Sequence, residues 1–286
     1  MKIGLLCSGG LGFTLLSKLH KLHNVVFVMT DRSSTEISNF CEQKSIDVFT
    51  RNPRGGRAAE FILGKKIDVL VSINYLFIIE NDLIRLPEKI AFNIHGSLLP
   101  KYRGRTPHIW AIICNEKKTG ITAHVIDEGC DTGDIIEQLA IPIKSTDTGA
   151  DILAKYNRRY FSLVKSVLQK IEANDVRFRK QDHTKATCYG KRAPEDGKID
   201  WNWHKERIRN WVRAQAHPYP GAFSYIENTR LIIDEVEYDD LGFSSEMPNG
   251  LILSTDPLLV KTPNGVLKLN KVRNYEILIE EGKLLS

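Results

Sequence analysis

The chain has 286 residues, 42% hydrophobic and 26% charged, with a formal net charge of +5. At about 100–200 residues per domain that length suggests two domains, and the ordinary composition excludes a disordered chain, a collagen-like repeat and a disulfide scaffold. No apolar run reaches the roughly 18 residues of a membrane span, the apolar start is cut off at Ser8-Gly9-Gly10 too early for a signal peptide, and the small basic excess fits a phosphate-bearing ligand better than a histone-like surface.

The first half alternates strands and helices. Residues 2–7 form a short apolar run that stops at Gly9-Gly10. Leu11, Leu15, Leu16, Leu19 and Leu22 then make a helical stripe. Residues 25–29 read as a second, β-branched strand, 34–44 as a helix capped by Ser33 or Ser34, 47–50 as a short strand and 58–64 as a helix. Residues 67–73 and 90–95 are further apolar strands. Strands apolar on both faces and separated by helices predict an α/β fold, a Rossmann-like and mostly parallel sheet flanked by helices. Ligands of such sheets bind at the carboxyl ends of the strands, so the loops after Cys7, Ile73 and Ile94 are where chemistry is expected.

Residues 148–173 predict a long amphipathic helix closing the first domain, 1–180. Residues 177–213 then carry eleven basic and five acidic residues, so the chain's positive charge is local to this stretch. The turn Pro194-Glu195-Asp196-Gly197 marks a linker, 181–195, ahead of a short helix at 205–215. The remainder breaks into short strands at 223–226, 231–236, 250–254, 258–261 and 266–271, with Pro263-Asn264-Gly265 as a hairpin signal. A small β-rich, barrel-like domain over 196–286 is expected. The five cysteines are odd in number and none is spaced Cys-x-x-Cys, so neither a disulfide framework nor a metal site is expected.

The most informative segment runs Phe92-Asn93-Ile94-His95-Gly96-Ser97-Leu98-Leu99-Pro100-Lys101-Tyr102-Arg103-Gly104. Asn93 and His95 are two apart at a strand end, so both side chains share a face. An amide donor beside an imidazole can stabilise a developing oxyanion and move a proton in one step. Downstream stands Asp127-Glu128-Gly129-Cys130-Asp131-Thr132-Gly133-Asp134-Ile135. A carboxylate in that loop can orient the imidazole and raise its pKa. Taken singly, His95 also reads as an ordinary histidine and Asp131-Thr132-Gly133 as a turn.

Together these elements resemble the N10-formyltetrahydrofolate-dependent formyltransferases, a family that includes methionyl-tRNA formyltransferase, glycinamide ribonucleotide transformylase and the sugar N-formyltransferases. The family's Asn-x-His and downstream Asp fall on Asn93, His95 and Asp131, and its Ser-Leu-Leu-Pro element on residues 97–104. The resemblance implies that His95 donates a proton and stabilises a tetrahedral intermediate, and that Asn93 bonds the same oxygen. Asp131 is implied to keep His95 correctly charged and to help deprotonate the attacking amine. No metal or covalent enzyme intermediate is implied. The folate co-substrate is expected against Tyr75, Leu76, Phe77, Asp127 and Gly129.

Three features bear on the acceptor. The segment 29–46 lacks the basic insertion by which the tRNA enzymes reach their substrate. The runs 186–196, 212–214 and 218–225 resemble the formyltransferase half of the bifunctional polymyxin-resistance enzyme, which formylates a nucleotide-linked amino sugar. The chain is also too short to hold that enzyme's decarboxylase half. A stand-alone sugar N-formyltransferase of surface-glycan (lipopolysaccharide, O-antigen) biosynthesis is therefore expected, with methionyl-tRNA formyltransferase as the alternative. Ser97, Arg103 and Arg105 are candidate substrate contacts. The basic, Gly-rich turn at 52–57 reads as a loop or a phosphate cradle, and Trp201, Trp203, Trp211 and Tyr219 as core or as stacking platforms. By the same resemblance a cytoplasmic homodimer is expected, taking a UDP- or dTDP-linked amino sugar, with no nucleic acid or membrane partner. Ser8-Gly9-Gly10-Leu11-Gly12 imitates a dinucleotide fingerprint, but Leu15 stands where its third glycine belongs.

Overall fold

Apolar runs with little alternation form the inner strands here, as burial on both faces requires. The structure is a computed structural model and describes residues 1–273 and 279–286. In chain order it contains β1 (Lys2–Cys7), α1 (Gly9–Leu19), β2 (Asn24–Met29), α2 (Thr35–Gln43), β3 (Asp47–Phe49), the one-turn α3 (Ala59–Ile62), β4 (Val69–Ile73), the one-turn α4 (Asn81–Ile84) and β5 (Ile90–His95). Next come β6 (Arg103–Gly104), α5 (Pro107–Ile113), β7 (Lys118–Val125), β8 (Ile135–Pro142), α6 (Gly149–Glu172) and β9 (Cys188–Tyr189). The chain continues through α7 (Lys205–Ala214), β10 (Ala222–Ile226), β11 (Thr229–Asp239), β12 (Ile252–Thr255), β13 (Leu258–Thr262) and β14 (Gly265–Arg273).

Two units emerge, neither of them one stretch of chain. The first comprises Met1–Gly104, Gly120–Ile141 and Lys155–Cys188; the second comprises Arg105–Thr119, Pro142–Ala154 and Tyr189–Ser286.

The first unit is built on a sheet in the order β3-β2-β1-β4-β5-β7-β8. β1, β2, β3, β4 and β5 pair in parallel, and β7 runs antiparallel to β5. The sheet grows outward from β1 through β2 and β3, then restarts on the other side with β4. The switch point therefore lies between β1 and β4, where α/β sheets open a ligand crevice at their carboxyl ends. Leu6, Phe27, Met29, Leu70 and Ala91 form part of one core layer. The long helix α6 buries Tyr156, Tyr160, Leu163, Val164, Val167 and Ile171 at three- and four-residue spacing. Thr148 and Asp151 begin it with a capping box, Asp151 accepting from the Thr148 N–H at 2.9 Å and donating its own to Thr148 Oγ1 at 3.2 Å.

The expected α/β class holds. The predicted strands at 2–7 and 90–95 match in full. The helix predicted over 11–22 starts at Gly9 and stops at Leu19, and the one over 58–64 shrinks to a single turn before Gly64, whose φ is +73°. α5, β7 and β8 have no counterpart in the sequence reading. The β7 sequence mixes apolar residues with Thr119, Thr122 and His124, all three buried, so it carries neither a clean alternation nor an unbroken apolar run.

In the second unit five antiparallel strands take the order β10-β11-β14-β13-β12. The C-terminal tail joins the two edges: Ser286 exchanges backbone bonds with Tyr225 beside β10, while Leu285 donates to Gly250 and Ile252 donates to Lys283. That closure gives the barrel-like form expected. The hairpin signal places Pro263 and Asn264 in the turn, with Thr262 paired to Gly265. Trp201 and Trp211 lie in this core, donating to Ser224 Oγ at 2.9 Å and to the Gly197 carbonyl at 3.1 Å. Trp203 packs edge-on against Trp211 and lies under Arg207.

Candidate active site

Strand register assembles the site. β5 and β7 pair so that Asn93 faces His124 and His95 faces Thr122. Asn93 and His95 share a face, and the antiparallel neighbour adds His124 to it. The connection after β7 leaves beside Ala91, where Ile126 donates to its carbonyl, and returns to β7, where Val125 donates to Asp134. Its tip carries Asp131 back over the two histidines.

The Asp131 carboxylate is the hub. Its Oδ2 lies 3.4 Å from His95 Nδ1, and its Oδ1 lies 3.4 Å from His124 Nε2. The Gly104 N–H donates to Oδ2 at 2.9 Å. Burial alone would raise this carboxyl's pKa, but the charge of His95, the hydrogen bond to His124 and the Gly104 N–H outweigh it. Asp131 is held well below the usual carboxylate range and stays ionised.

His95 is 6% exposed. Its Nε2 lies 2.7 Å from the Tyr102 carbonyl oxygen. With an ionised carboxylate at one nitrogen and a carbonyl at the other, both neighbours only accept, so they favour the doubly protonated ring. Burial opposes that charge and sets the imidazole below its ordinary pKa, while Asp131 and the Tyr102 carbonyl pull it back up. A charged imidazole held below its ordinary pKa is a stronger proton donor than a free one.

His124 is absent from the sequence reading. Its Nδ1 lies 2.8 Å from the Val125 carbonyl, and its Nε2 lies 3.2 Å from Asn93 Nδ2 and 3.4 Å from Asp131 Oδ1. The histidine thus orients the Asn93 carboxamide as well as facing Asp131. No local pattern marks it; a histidine two residues from a buried threonine gains meaning only through the β5–β7 register.

The segment 99–106 supplies main-chain partners to both His95 and Asp131. It has positive φ at Tyr102 (+61°), Gly104 (+93°) and Thr106 (+49°), a concentration of strained backbone of the kind found at functional sites. Ser97 is fully buried, and its hydroxyl donates to the Lys101 carbonyl at 2.7 Å. Arg103 is 5% exposed, and its guanidinium donates to Gln181 Oε1 and lies 3.1 Å from His183 Nδ1. Arg105 is an exposed residue of the second unit, its N–H donating to the Tyr189 carbonyl. Neither Ser97 nor Arg103 turns its polar atoms to solvent.

Tyr75, Leu76 and Phe77 follow β4 at the carboxyl edge. Leu76 and Ile78 are exposed, Tyr75 and Phe77 pack edge to face at 5.4 Å, and the Tyr75 hydroxyl is buried without a hydrogen-bond partner. Asp127 ties its own loop, accepting from Thr132 Oγ1 at 2.7 Å and from the Gly129 N–H at 3.2 Å. Glu128 accepts from Asn81 at 2.9 Å. Among the described residues no group of three or more His, Cys, Asp or Glu side chains is arranged to hold a metal ion, and no helix is long and apolar enough to cross a membrane.

Comparison with known proteins matches residues 16–167 to the formyl transferase family model and residues 191–277 to the formyl transferase C-terminal domain. A curated relative, the bifunctional polymyxin resistance protein ArnA of Wigglesworthia glossinidia brevipalpis, is 32% identical over 273 residues. The alignment covers 93% of this chain, which spans only 40% of that relative's length. Among solved structures, the sugar 3N-formyl transferase WlaRD, crystallised with dTDP and 5-N-formyl-THF, superposes with a TM-score of 0.72 at 23% identity, covering 95% of this chain and 98% of its own. The N-formyltransferase of Helicobacter canadensis, in complex with folinic acid and dTDP-3-aminofucose, superposes with a TM-score of 0.70 at 22% identity, covering 94% and 98%. At these identities the structures attest the shared fold, and the family models settle the relationship: the chain belongs to the formyl transferase family.

Proposed function

We propose that the protein transfers a formyl group from N10-formyltetrahydrofolate to the amine of a nucleotide-linked amino-deoxy sugar. The observation that carries this reading is the gathering of Asn93 and His95 on one sheet face under the loop that brings Asp131 to them, with Asp131 ionised against a buried His95. The residues after β4 suit the co-substrate: exposed Leu76 and Ile78 beside the unpaired Tyr75 hydroxyl match a flat, partly polar ring. Tyr75, Leu76 and Phe77, with Asp127 and Gly129, would hold it. When bound, the folate supplies the formyl carbon.

This chain's residues do the rest. The Asn93 carboxamide, turned by His124, offers an N–H to the carbonyl oxygen of the transferred group. His95 donates a proton to the same oxygen. Asp131 stays ionised beside the ring and draws its pKa back up against burial; as the amine bonds to the formyl carbon and the carbon–nitrogen bond to the folate breaks, the oxygen returns its proton to His95 and the amine's proton passes to the departing nitrogen.

The sugar acceptor is supported by the ligands of the two superposed sugar enzymes and by the extent of the ArnA match. It is supported also by the five residues, 30–34, that connect β2 to α2 and leave no room for a basic arm toward tRNA. The reading includes a cytoplasmic homodimer acting in surface-glycan biosynthesis without nucleic-acid or membrane partners. Purified protein, N10-formyltetrahydrofolate and a panel of UDP- and dTDP-amino sugars are expected to yield products heavier by one formyl group in mass spectrometry. Formylation of methionyl-tRNA without turnover of any sugar refutes the acceptor. Turnover that survives in both His95→Ala and Asp131→Ala refutes the site, since loss of an acid–base group costs about 100- to 10,000-fold.

A further inference from the structure

We propose that Gln181 is a positioning residue for Asp131, acting from a stretch of chain that neither family model covers. Gln181 is 6% exposed. Its Nε2 donates to the main-chain carbonyls of Asp131 at 2.9 Å and Gly133 at 2.7 Å. Its Oε1 accepts from Arg103 Nη2 at 2.7 Å and Nε at 3.3 Å. Both donors and the acceptor oxygen of one carboxamide are therefore in use, which is uncommon for a glutamine outside a built network.

The tether acts where the backbone needs holding. Asp131 has φ of +56°, a conformation that a residue with a side chain keeps only where its surroundings impose it. The Gly104 N–H holds the carboxylate, and Gln181 holds the carbonyl of the same residue. Arg103, next to Gly104, is bound to Gln181, so the carboxamide joins the two segments that fix Asp131. Neighbouring bonds seat Gln181: Arg179 and Ile135 exchange backbone bonds at 2.8 and 2.9 Å, and Thr187 accepts from the Arg103 N–H at 2.8 Å. A neutral carboxamide also does this without adding a charge beside the His95–Asp131 pair. A lysine in its place would bond the same carbonyls but compete for the carboxylate.

The proposal rests on the formyl-transfer reading for its kinetic test and is independent of it for its structural test. Two variants of the full chain separate the roles. Gln181→Met removes every bond. Gln181→Glu keeps an acceptor for Arg103, loses the donor to Asp131 and Gly133 and adds a negative charge there. Both are expected to lower kcat about 100-fold, as for a displacement of about 1 Å at a reacting group, with each KM within threefold of wild type. In protein labelled with 15N-histidine, the His95 ring resonances, identified by their absence in His95→Gln, are expected to shift in both variants. Wild-type His95 resonances in folded Gln181→Glu overturn the proposal, as does a wild-type kcat. Loss of the fold in both variants also overturns it, because Gln181 is then a folding element. If the wild-type protein transfers no formyl group, the formyl-transfer reading fails and the His95 resonances alone decide the role of Gln181.

Discussion

Gly133→Ala tests how tightly the Asp131 loop is fitted to β7. Gly133 is buried, and a Cβ built on it falls 2.0 Å from the Val125 carbonyl oxygen and 2.9 Å from its carbon. Both are main-chain atoms of a strand, so no rotamer change can relieve the contact. Restoring an ordinary separation requires the loop to back away by at least about 1 Å. That movement strains the Val125–Asp134 hydrogen bond of 2.9 Å and carries Asp131 away from His95 and His124. A shift of that size costs about 100-fold in kcat, and the overpacking costs about 1–3 kcal/mol of stability. At about 2–4 °C per kcal/mol, the midpoint should fall by roughly 2–12 °C. Steady-state formyl transfer and a thermal melt measure both. The control is Gly242→Ala, where an added Cβ meets nothing within 4 Å, and neither quantity should move. A Gly133→Ala enzyme with kcat within twofold of wild type and an unshifted midpoint refutes the close fit on which the site geometry depends.

His124→Gln, which keeps a polar atom near the Nε2 position, should retain kcat within about threefold, whereas His124→Asn should lose about tenfold, the worth of one hydrogen bond of about 1.4 kcal/mol; equal losses would show that His124 merely fills space. Burial pushes His108, bonded to the Tyr219 hydroxyl at 2.8 Å, from 6.5 down to about 4. The unfolded chain then binds the extra proton between those values, so stability rises with pH across the window, and going from pH 7.5 to 5 costs about 2 kcal/mol. Urea midpoints at the two pH values should show this loss shrinking in His108→Phe, and an identical loss in both proteins refutes the assignment. Cys130 is exposed with its Sγ 3.7 Å from Asp131 Oδ2; iodoacetamide should abolish formyl transfer in the wild type and spare Cys130→Ser, and equal inactivation of the two would place the sensitive thiol elsewhere.

Local pattern carried much of the first unit because burial on both faces leaves a mark that needs no knowledge of neighbours. The runs at 2–7, 67–73 and 90–95 are mostly apolar, interrupted only at Lys2, Asp68, Ser72, Asn93 and His95, and two-residue periodicity puts Asn93 and His95 on one face. The α6 stripe was equally legible, its apolar residues recurring at helical spacing. β7 carries no clear local signal because three of its buried residues are polar, with partners that include groups on neighbouring segments: Thr122 donates to the Ser97 carbonyl at 2.6 Å, and His124 faces Asn93. Arg103 and Ser97 illustrate the opposite limit. Their residue types suggest contact with a polar substrate, yet whether a guanidinium meets solvent or a buried glutamine depends on chain 78 residues away.

By itself, then, the sequence determined the α/β class and the β-rich second part, which follow from periodicity and turn signals, while Asn93, His95 and Asp131 were joined into one motif by their resemblance to the family's pattern. Only the tertiary structure decided that residues 105–119 and 142–154 pack with the second unit, that His124 joins Asn93 and Asp131, and that Gln181 holds the Asp131 backbone. The physical reason is common to all three. Strand register, loop return and helix docking are set by packing and hydrogen bonding between distant segments, and a side chain's role follows from the atoms brought against it.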